Sequence, residues 1–579
     1  MDIIKKLKHI LNKSQKREMV VLGVMIFFGG IVEFLGVSSL IPAVAVILAP
    51  EKVIEYRIVR DVLSFGGIED ISRFTSILLF GVMAVFAIKN MYLLWLARVQ
   101  ERFIAVNRNK MISKVLRQFL YRPYEFYLDA DIPTVFRITD SDIPQTFSMI
   151  LSILKMASEV IVAVSLSVML FIRDWKLTSY LVAVCLILTI VLTRIIKPQM
   201  SKIGEKNLNV QSRIAKWRIQ AIYGIKDVKV LHREDFFADN YEKNGKVGAV
   251  YSMKYAVLNS IPHLLIETVF MISILAYVAF YLSTDGDIPT LVDKLTAVGV
   301  VAMRLMPSVN RINTYIGDIA YKKPCLDYLY ENMRADETYE KRDKTKATGL
   351  INLSEKIELK NITYSYPNSD VIIFENAYME IPAFKSVGII GSSGAGKSTL
   401  VDILLGLLSV KDGQILCDGI NIFEHYDEWL SHIGYIPQSI YLVDESIRAN
   451  VAFGIDADDV SDERIWDVLE EAQLKDFVQS LPEGLETKVG DRGVRLSGGQ
   501  RQRIGIARAL YHNPDILVFD EATSALDNET EAALMEAINN FHGKKTMIII
   551  AHRLNTIKQC DLVYKVVNGH IEKTILEDN

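Results

Sequence analysis

A glycine-rich stretch at residues 391–399 has the composition and spacing needed to hold a polyphosphate. It reads Gly391, Ser392, Ser393, Gly394, Ala395, Gly396, Lys397, Ser398 and Thr399. The glycines would let successive backbone N–H groups converge on phosphate oxygens, and the start of a following helix would add partial positive charge. Lys397 is placed to reach the outer phosphates, and the Ser398 hydroxyl is placed to bind Mg²⁺. A plain strand-to-helix turn is the alternative, but it does not need lysine and serine at these two positions, so we expect a nucleoside triphosphate site.

Two further apolar runs end in residues that could act on a bound triphosphate. Residues 516–521 form a predicted strand that ends in Asp520 and Glu521. There Asp520 would join the Mg²⁺ shell, and Glu521 would orient and polarise the attacking water. Residues 546–552 form a second such strand, ending in His552, which could contact the γ-phosphate. For both strand ends the alternative is that these residues have no catalytic role, since acids at a strand end can be incidental and a lone histidine there is usually structural.

A second anion-binding helix start follows Leu496. It consists of Ser497, Gly498, Gly499 and Gln500, and it precedes a predicted helix over 501–511. One domain cannot easily wrap two such helix starts around a single phosphate chain. We therefore predict that this second start closes over the nucleotide of another copy of the chain, which implies a homodimer.

The phosphate loop needs a strand before it and a helix after it, and the flanking sequence supplies both. Residues 387–390 are a continuous apolar run, and residues 400–406 have helical character. From Ile357 onward short strands and helices alternate, which is typical of an α/β domain. A charged stretch, in which apolar residues do not recur at a regular spacing, precedes this domain. We therefore predict a linker over 335–354 and a nucleotide-binding domain over 355–579.

The first half of the chain predicts a membrane domain over 1–334. Half of the 579 residues are hydrophobic although 23% are charged, a mixture that fits a membrane part joined to a soluble part. Six stretches are apolar enough to cross about 30 Å of hydrocarbon. They are residues 19–48, 74–99, 144–172, 175–196, 255–282 and 291–318. The connection at 50–73 is either a helix lying on the bilayer surface or an ordinary outer loop.

The distribution of basic residues predicts the orientation of the spans. Residues 98–137 and 194–254 contain eight and thirteen Lys/Arg, whereas 173–176 and 283–290 contain two and none. The positive-inside rule then places the long loops and both termini in the cytoplasm. The net charge of −4 and the lack of a basic–aromatic patch give no indication of nucleic acid. The four scattered cysteines likewise indicate neither a zinc site nor a disulfide framework.

Charged side chains inside the spans are candidates for contact with cargo, because each is costly in hydrocarbon. Arg304 and Arg311 fall on one face of the sixth span and match the geometry of a diphosphate. Lys89 and His263 are weaker candidates for substrate contact. The alternative is that the arginines snorkel to the interface or pair with an acid such as Glu267 or Glu33.

Together these motifs resemble those of ABC-transporter ATPases. The matching segments are Gly391–Thr399, Gln438, Leu496–Gln500, Asp520–Glu521, Ser524–Asp527 and His552, which look like the Walker A, Q-loop, signature, Walker B, D-loop and H-loop. Tyr366 resembles the aromatic residue that stacks on adenine, and residues 487–493 resemble the exporter loop that communicates with the spans. The resemblance implies ATP and Mg²⁺ as cofactors, with Gln438 among the metal ligands. It also implies a homodimeric half-transporter that sandwiches two ATPs and carries coupling helices near 121–127 and 218–227.

The membrane half resembles the PglK-type flippases of lipid-linked oligosaccharides, through residues 303–311 that follow a glutamate-bearing fifth span. In that family, arginines lining the cavity are thought to attract the pyrophosphate of a polyprenyl-diphosphate glycan, and Arg304 and Arg311 match them. This chain departs from the pattern at Pro262-His263, where the flippases have Pro-Arg. We expect an inner-membrane flippase of a lipid-linked anionic glycan, or alternatively an exporter of another lipid, a drug or a peptide. A nucleotide-gated channel or regulatory subunit is disfavoured because Glu521 is present.

Overall fold

A computed structural model describes residues 2–48, 71–173, 175–283, 288–336, 349–521, 540–551 and 557–574. The chain forms two compact units. The helical unit comprises residues 1–122 and 130–340, and the sheet unit comprises residues 123–129 and 341–579. Residues 50–70 of the predicted outer segment 50–73 and most of the predicted linker 335–354 lie outside the described residues, and residues 71–73 begin a helix.

The helical unit is built from long helices joined by short connections. In chain order the helices are α1 (Asp2–Ile10), α2 (Lys13–Leu48), α3 (Ile71–Leu120), α5 (Ile132–Arg137), α6 (Ile143–Arg173), α7 (Trp175–Tyr223), α8 (Ile225–Val230), α9 (Glu234–Ser283) and α10 (Ile288–Asp336). The short helix α4 (Tyr124–Asp129) lies between α3 and α5 in the sequence but belongs to the sheet unit. A π-helix over Ile138–Asp142 joins α5 to α6.

Several of these helices are longer than a bilayer requires. Among the described residues, five helices are long and apolar enough to cross a membrane by length and composition. The helix α3 has 50 residues, which corresponds to about 75 Å, whereas about 20 residues suffice for the hydrocarbon core. The sequence of α3 turns from apolar to charged within one uninterrupted helix, so its second half continues beyond the predicted span 74–99. The predicted sixth span 291–318 falls within α10, whose side chains up to residue 304 are mostly outside the described part.

The helix α10 is central to the packing of the helical unit, because it contacts α6, α7 and α9. Leu166, Phe270 and Leu305 are buried in one apolar cluster between these helices. Close approach of α7 to α10 depends on Gly204, since a Cβ atom there would lie 2.0 Å from the Tyr321 carbonyl oxygen. A larger residue at 204 would force the two helices apart.

The sheet unit contains a six-stranded sheet in the order β10-β9-β3-β8-β7-β6. These strands are β3 (Ser386–Ile390), β6 (Ile433–Ile436), β7 (Ile516–Asp520), β8 (Thr546–Ile550), β9 (Leu562–Val567) and β10 (His570–Thr574). All except β10 run parallel, and β3, β8 and β7 are neighbours. The carboxyl ends of parallel strands meet at one edge, so Gly391, Asp520 and Ala551 emerge side by side.

A four-stranded antiparallel sheet completes this unit, in the order β2-β1-β4-β5. Its strands are β1 (Lys356–Ser365), β2 (Ile372–Pro382), β4 (Asp412–Cys417) and β5 (Ile420–Asn421). The helix α11 (Lys397–Leu404) contributes Leu400 and Ile403 to the core shared by the two sheets. Ile351 and Leu353 are also buried there, so the last residues of the predicted linker pack as part of the sheet unit.

A second apolar core lies between the six-stranded sheet and a set of helices. These helices are α13 (Ile447–Val451), α14 (Asp462–Glu471), α15 (Lys475–Ser480) and α16 (Gly498–Leu510). The helix α12 (Tyr426–Ser431) packs instead against the first core, between the two sheets. The short helix α4 overlaps the predicted coupling segment 121–127. Its Glu125 carboxylate accepts a hydrogen bond from the Ser409 N–H at 2.5 Å, and the Asp129 carboxylate that ends it accepts one from Asn368 at 2.9 Å.

Candidate nucleotide site

The glycine-rich loop adopts the conformation that its residue types predict, between β3 and α11. Gly394 and Gly396 have φ of 79° and 100°, in the left-handed region where side chains are strained. At Gly391 the constraint is space, because a Cβ atom would lie 2.8 Å from the Val566 carbonyl oxygen. Together these glycines allow a tight turn whose backbone N–H groups can face a phosphate chain.

Lys397 is held inside this loop rather than extended into solvent. Its side chain is 5% exposed, and the ammonium donates to the carbonyl oxygens of Gly391 and Ser392, both at 3.1 Å. A lysine has three N–H donors, so one remains for a phosphate oxygen. Ser398, the next residue, is exposed at the start of α11, where its hydroxyl is accessible to a ligand.

Tyr366 is joined to the same loop. Its hydroxyl forms a hydrogen bond of 2.8 Å with the Thr399 hydroxyl, and its ring packs edge-on against Tyr364 at 5.3 Å. The predicted adenine-stacking residue is thus placed beside the phosphate loop by tertiary structure, although 33 residues separate it from Thr399 in sequence.

Asp520 emerges at the end of β7 with one carboxylate oxygen engaged and the other available. The Tyr435 hydroxyl donates to Oδ2 at 3.3 Å, whereas Oδ1 is buried without a hydrogen-bond partner among the described residues. Burial and the adjacent Glu521 carboxylate raise the pKa of Asp520. An orphaned carboxylate oxygen in a low-dielectric position is costly, and a hard divalent cation would satisfy it. The residues present therefore fit Mg²⁺.

The structure brings two predicted residues, Glu521 and Gln438, into direct contact. The Gln438 side-chain amide donates to the Glu521 carboxylate at 2.6 Å. Glu521 has φ of 50°, a strained conformation for this residue, and its N–H donates to the Ile550 carbonyl oxygen at 3.0 Å. A strained acid fixed by both its backbone and its side chain is pre-organised for a catalytic task.

Sequence reasoning missed two polar residues near this acid pair. Tyr435, on β6, donates to Asp520 and so orients its carboxylate. Asp402, on α11, lies partly buried, and its pKa is raised to about 6 by burial and by the charge of Asp520. Asp402 stands four residues after Ser398, where the helical period could have indicated that both face the same region.

The predicted signature segment forms a well-defined helix start. The Ser497 hydroxyl accepts from the Gln500 N–H at 3.2 Å, and the Gln500 side chain accepts from the Ser497 N–H at 2.8 Å. This reciprocal capping box fixes the first turn of α16, while Ser497 and Gly498 are exposed. The start of α16 is therefore a rigid, accessible surface for an anion. His552 and the predicted D-loop Ser524–Asp527 lie outside the described residues.

In the helical unit, Arg311 is paired with an acid that sequence reasoning did not consider. Its guanidinium donates to the Glu159 carboxylate at 2.7 Å, and 49% of the arginine side chain stays exposed. The alternative that an arginine of this span pairs with an acid is thus borne out for Arg311, which is hydrogen-bonded to Glu159. Only the backbone of Arg304 is described, so the contacts of its side chain lie outside the described part.

The other two candidates for substrate contact, His263 and Lys89, differ in how far their side chains are exposed. His263 is accessible, with a 58% exposed side chain and a hydrogen bond of 2.8 Å to Asn310. Lys89, by contrast, is 8% exposed and packs against Gly36, with its ammonium 4.4 Å from the Phe86 ring centre. Little of Lys89 is accessible in this arrangement, and its contact with cargo stays a prediction.

Comparisons with known proteins agree with this architecture. A model of the ABC transporter family matches residues 374–524, and a model of the ABC transporter transmembrane region matches residues 19–297. ATP-dependent lipid A-core flippases of Escherichia coli strain K12 and of Shigella flexneri are each 30% identical over 418 residues, covering 70% of this chain and 69% of theirs. A bacterial Atm1-family ABC exporter with ATP bound has the same fold, with a TM-score of 0.78 at 21% identity over 96% of this chain and 95% of that one.

The matched regions lie in both units, and the first contains the motifs at 391–399, 438, 496–500 and 520–521 in their expected order. The nucleotide geometry, the multi-pass helical unit and the similarity at 30% identity lead to one assignment. The chain belongs to the ABC transporter family, as an exporter-type half-transporter that joins a transmembrane region to an ATP-binding domain and couples ATP hydrolysis to translocation.

Proposed function

We propose that this half-transporter works as a homodimer that flips a lipid-linked anionic glycan, with a polyprenyl diphosphate as the anionic part, across a bacterial inner membrane. The ATPase domain and both termini would lie in the cytoplasm, as the basic loops predict. The observation that carries the cargo assignment is Arg311, a half-exposed arginine within a predicted span. The names of the flippases that are similar to this chain support a lipid cargo.

The nucleotide chemistry follows from the contacts of the ATP site. The loop 391–399 would bind the phosphates through its N–H groups and the remaining donor of Lys397. Ser398, Gln438 and Asp520 would hold Mg²⁺, which when bound neutralises charge on the phosphate oxygens. Glu521, aligned by the amide of Gln438, would accept the proton of the attacking water at its carboxylate. His552 would contact the γ-phosphate.

The second helix start supports a working unit of two copies. Ser497 and Gly498 are exposed at a capped helix start, and the N–H groups there have the polarity to bind the γ-phosphate. We propose that Ser497, Gly498, Gly499 and Gln500 of one copy close over the ATP held by Lys397 of the other.

The surroundings of Arg311 are consistent with an anionic cargo group. Glu159 engages one part of the guanidinium, which leaves most of its five N–H donors for another partner. One oxygen of Glu159 and the hydroxyl of Ser308 are buried without hydrogen-bond partners among the described residues, as expected where a polar ligand or water completes the site. Arg304 and His263 would add positive charge to this region when the histidine is protonated.

The test is transport in liposomes containing the full-length protein and a fluorescent polyprenyl-diphosphate glycan. We expect Arg311→Ala to lower the initial flipping rate at least about tenfold, because a bidentate arginine–phosphate contact contributes about 1.5–3 kcal/mol. Basal ATPase activity should persist. The matched variant Glu159→Gln removes the same salt bridge but keeps the arginine.

The two variants separate a cargo role from a structural one. A cargo role predicts loss in Arg311→Ala and retention in Glu159→Gln, whereas a purely structural salt bridge predicts equal losses. Equal losses, or an Arg311→Ala protein that flips the glycan normally, would reject the cargo assignment. Normal transport of a neutral lipid, a drug or a peptide by the wild type, without glycan flipping, would favour the alternative exporter function.

A further inference from the structure

A groove between α7 and α9 combines an apolar floor with a basic rim. It has a volume of about 470 Å³, within the range of small-molecule sites. Ile203, Val257 and Leu258 contribute to the floor, and Lys202, Lys206 and Lys254 contribute to the rim. Nothing in the nucleotide chemistry or the Arg311 region uses this groove.

The three lysines are not neutralised by acids within the described part of the chain. No ion pair with a described carboxylate is formed by Lys202, Lys206 or Lys254, and Lys254 instead lies 5.9 Å from the Tyr251 ring centre. All three lysines are exposed. Three like charges around one groove repel each other, and this repulsion is relieved when an anion binds among them.

The position of the groove along the helices selects the kind of anion. The predicted spans end at residue 196 on α7 and begin at residue 255 on α9, so Lys202, Lys206 and Lys254 all lie outside the apolar part of their helices. Val257 and Leu258 lie just inside the span, below the lysines. The apolar residues 257 and 258 and the three lysines thus follow one another along the helices, in the order of an acyl chain and its headgroup. Basic pockets between transmembrane helices on the cytoplasmic side are known to bind anionic lipid headgroups.

We propose that the groove binds the phosphate headgroup of an anionic phospholipid from the cytoplasmic leaflet. Compact ammonium groups suit a phosphate as point charges, and Tyr251 is an interfacial aromatic residue beside them. The groove is a lipid site separate from the cargo region at Arg311, and its occupancy does not depend on the identity of the transported glycan.

The experiment measures lipid binding to the full-length protein in detergent by native mass spectrometry, without ATP or glycan. Dioleoyl-phosphatidylglycerol is titrated, and dioleoyl-phosphatidylcholine serves as the lipid with no net charge. We expect tighter binding of the anionic lipid, weakened about fivefold per lysine and about 100-fold in the triple variant Lys202→Ala/Lys206→Ala/Lys254→Ala. The control Lys114→Ala/Lys216→Ala/Lys243→Ala removes three exposed lysines of the same unit outside the groove.

Each other outcome overturns the proposal in a distinct way. Equal weakening in both triple variants would indicate diffuse surface charge. Displacement of the lipid by millimolar inorganic phosphate would indicate a soluble-anion site, and a change of oligomeric state in the groove variant alone would indicate a contact between copies.

Raising the salt concentration on the wild type provides a second measurement, because the preference for phosphatidylglycerol should fall as the lysines are screened. Absence of glycan flipping by the wild type, with its lipid binding intact, would reject the cargo proposal alone.

Discussion

The contact between Gln438 and Glu521 predicts how the ATPase responds to substitution. Glu521→Gln keeps the size of the side chain, and its amide oxygen can still accept from Gln438, so the geometry should survive. What is lost is the charged proton acceptor, and general-base catalysis contributes about 10²–10⁴-fold. We expect the ATP turnover rate to fall by that factor, equivalent to about 3–5 kcal/mol in the barrier.

Gln438→Ala should cost less, because the charged acid stays in place and Ser398 and Asp520 remain to hold Mg²⁺. A hydrogen bond to a charged group contributes about 1.5–3 kcal/mol, which corresponds to about 10- to 150-fold in rate if all of it acts in the transition state. If Gln438 contributes to turnover by aligning Glu521, the double variant should be no slower than Glu521→Gln alone.

The assay is steady-state ATP hydrolysis by the detergent-purified protein, together with ATP binding measured by nucleotide fluorescence. Binding should change little in either variant, and Glu463→Gln, an exposed acid on α14, is the control. The reasoning is refuted if Glu521→Gln hydrolyses ATP at the wild-type rate. It is also refuted if the two single effects multiply in the double variant, since the residues would then act independently.

Two further predictions concern the same domain. Because the Asp402 pKa rises from 3.8 to about 6 on folding, its charge destabilises the fold as pH rises through that window, by at most about 3 kcal/mol at neutral pH since water screens the partly exposed carboxylate. Asp402→Asn should therefore raise the melting temperature in EDTA at pH 7.5, by up to about 12 °C, but not at pH 4, and the same rise at both pH values would contradict this. Gly396→Ala should weaken ATP binding more than Gly394→Ala in a fluorescence titration. Both positions have positive φ, but only at 396 would a Cβ atom crowd Ile373 and Phe374, at 3.1 and 3.2 Å, so equal effects would show that backbone strain alone matters.

Much of the fold class was predictable because the relevant signals are local. The apolar run before Gly391 and the helix after it are confirmed as β3 and α11, and the predicted strand 516–521 is confirmed as β7. The lengths of the helices were not predictable from the spans alone. Hydropathy marks only the part of a helix in contact with lipid, whereas α3 continues for about twenty residues after its apolar part ends.

Partners that lie far apart in sequence were beyond local reasoning. Residues 311 and 159 are separated by 152 positions, and which acid meets Arg311 depends on how α10 packs against α6. In the same way Lys89 was a candidate because hydropathy ignores its neighbours, and the packing of α2 against α3, at Gly36 among other residues, buries it.

By itself, the sequence determined the chemistry of this protein: a loop for phosphates, acids at strand ends, a second helix start for an anion, and apolar spans for a membrane. These depend on residue type and short spacing, which the chain carries along its length. The tertiary structure alone decided which of these groups meet, including Gln438 with Glu521, Tyr435 with Asp520, and three lysines around one groove. The physical reason is that strand order and helix packing set these distances, and both arise from burial summed over residues far apart in the chain.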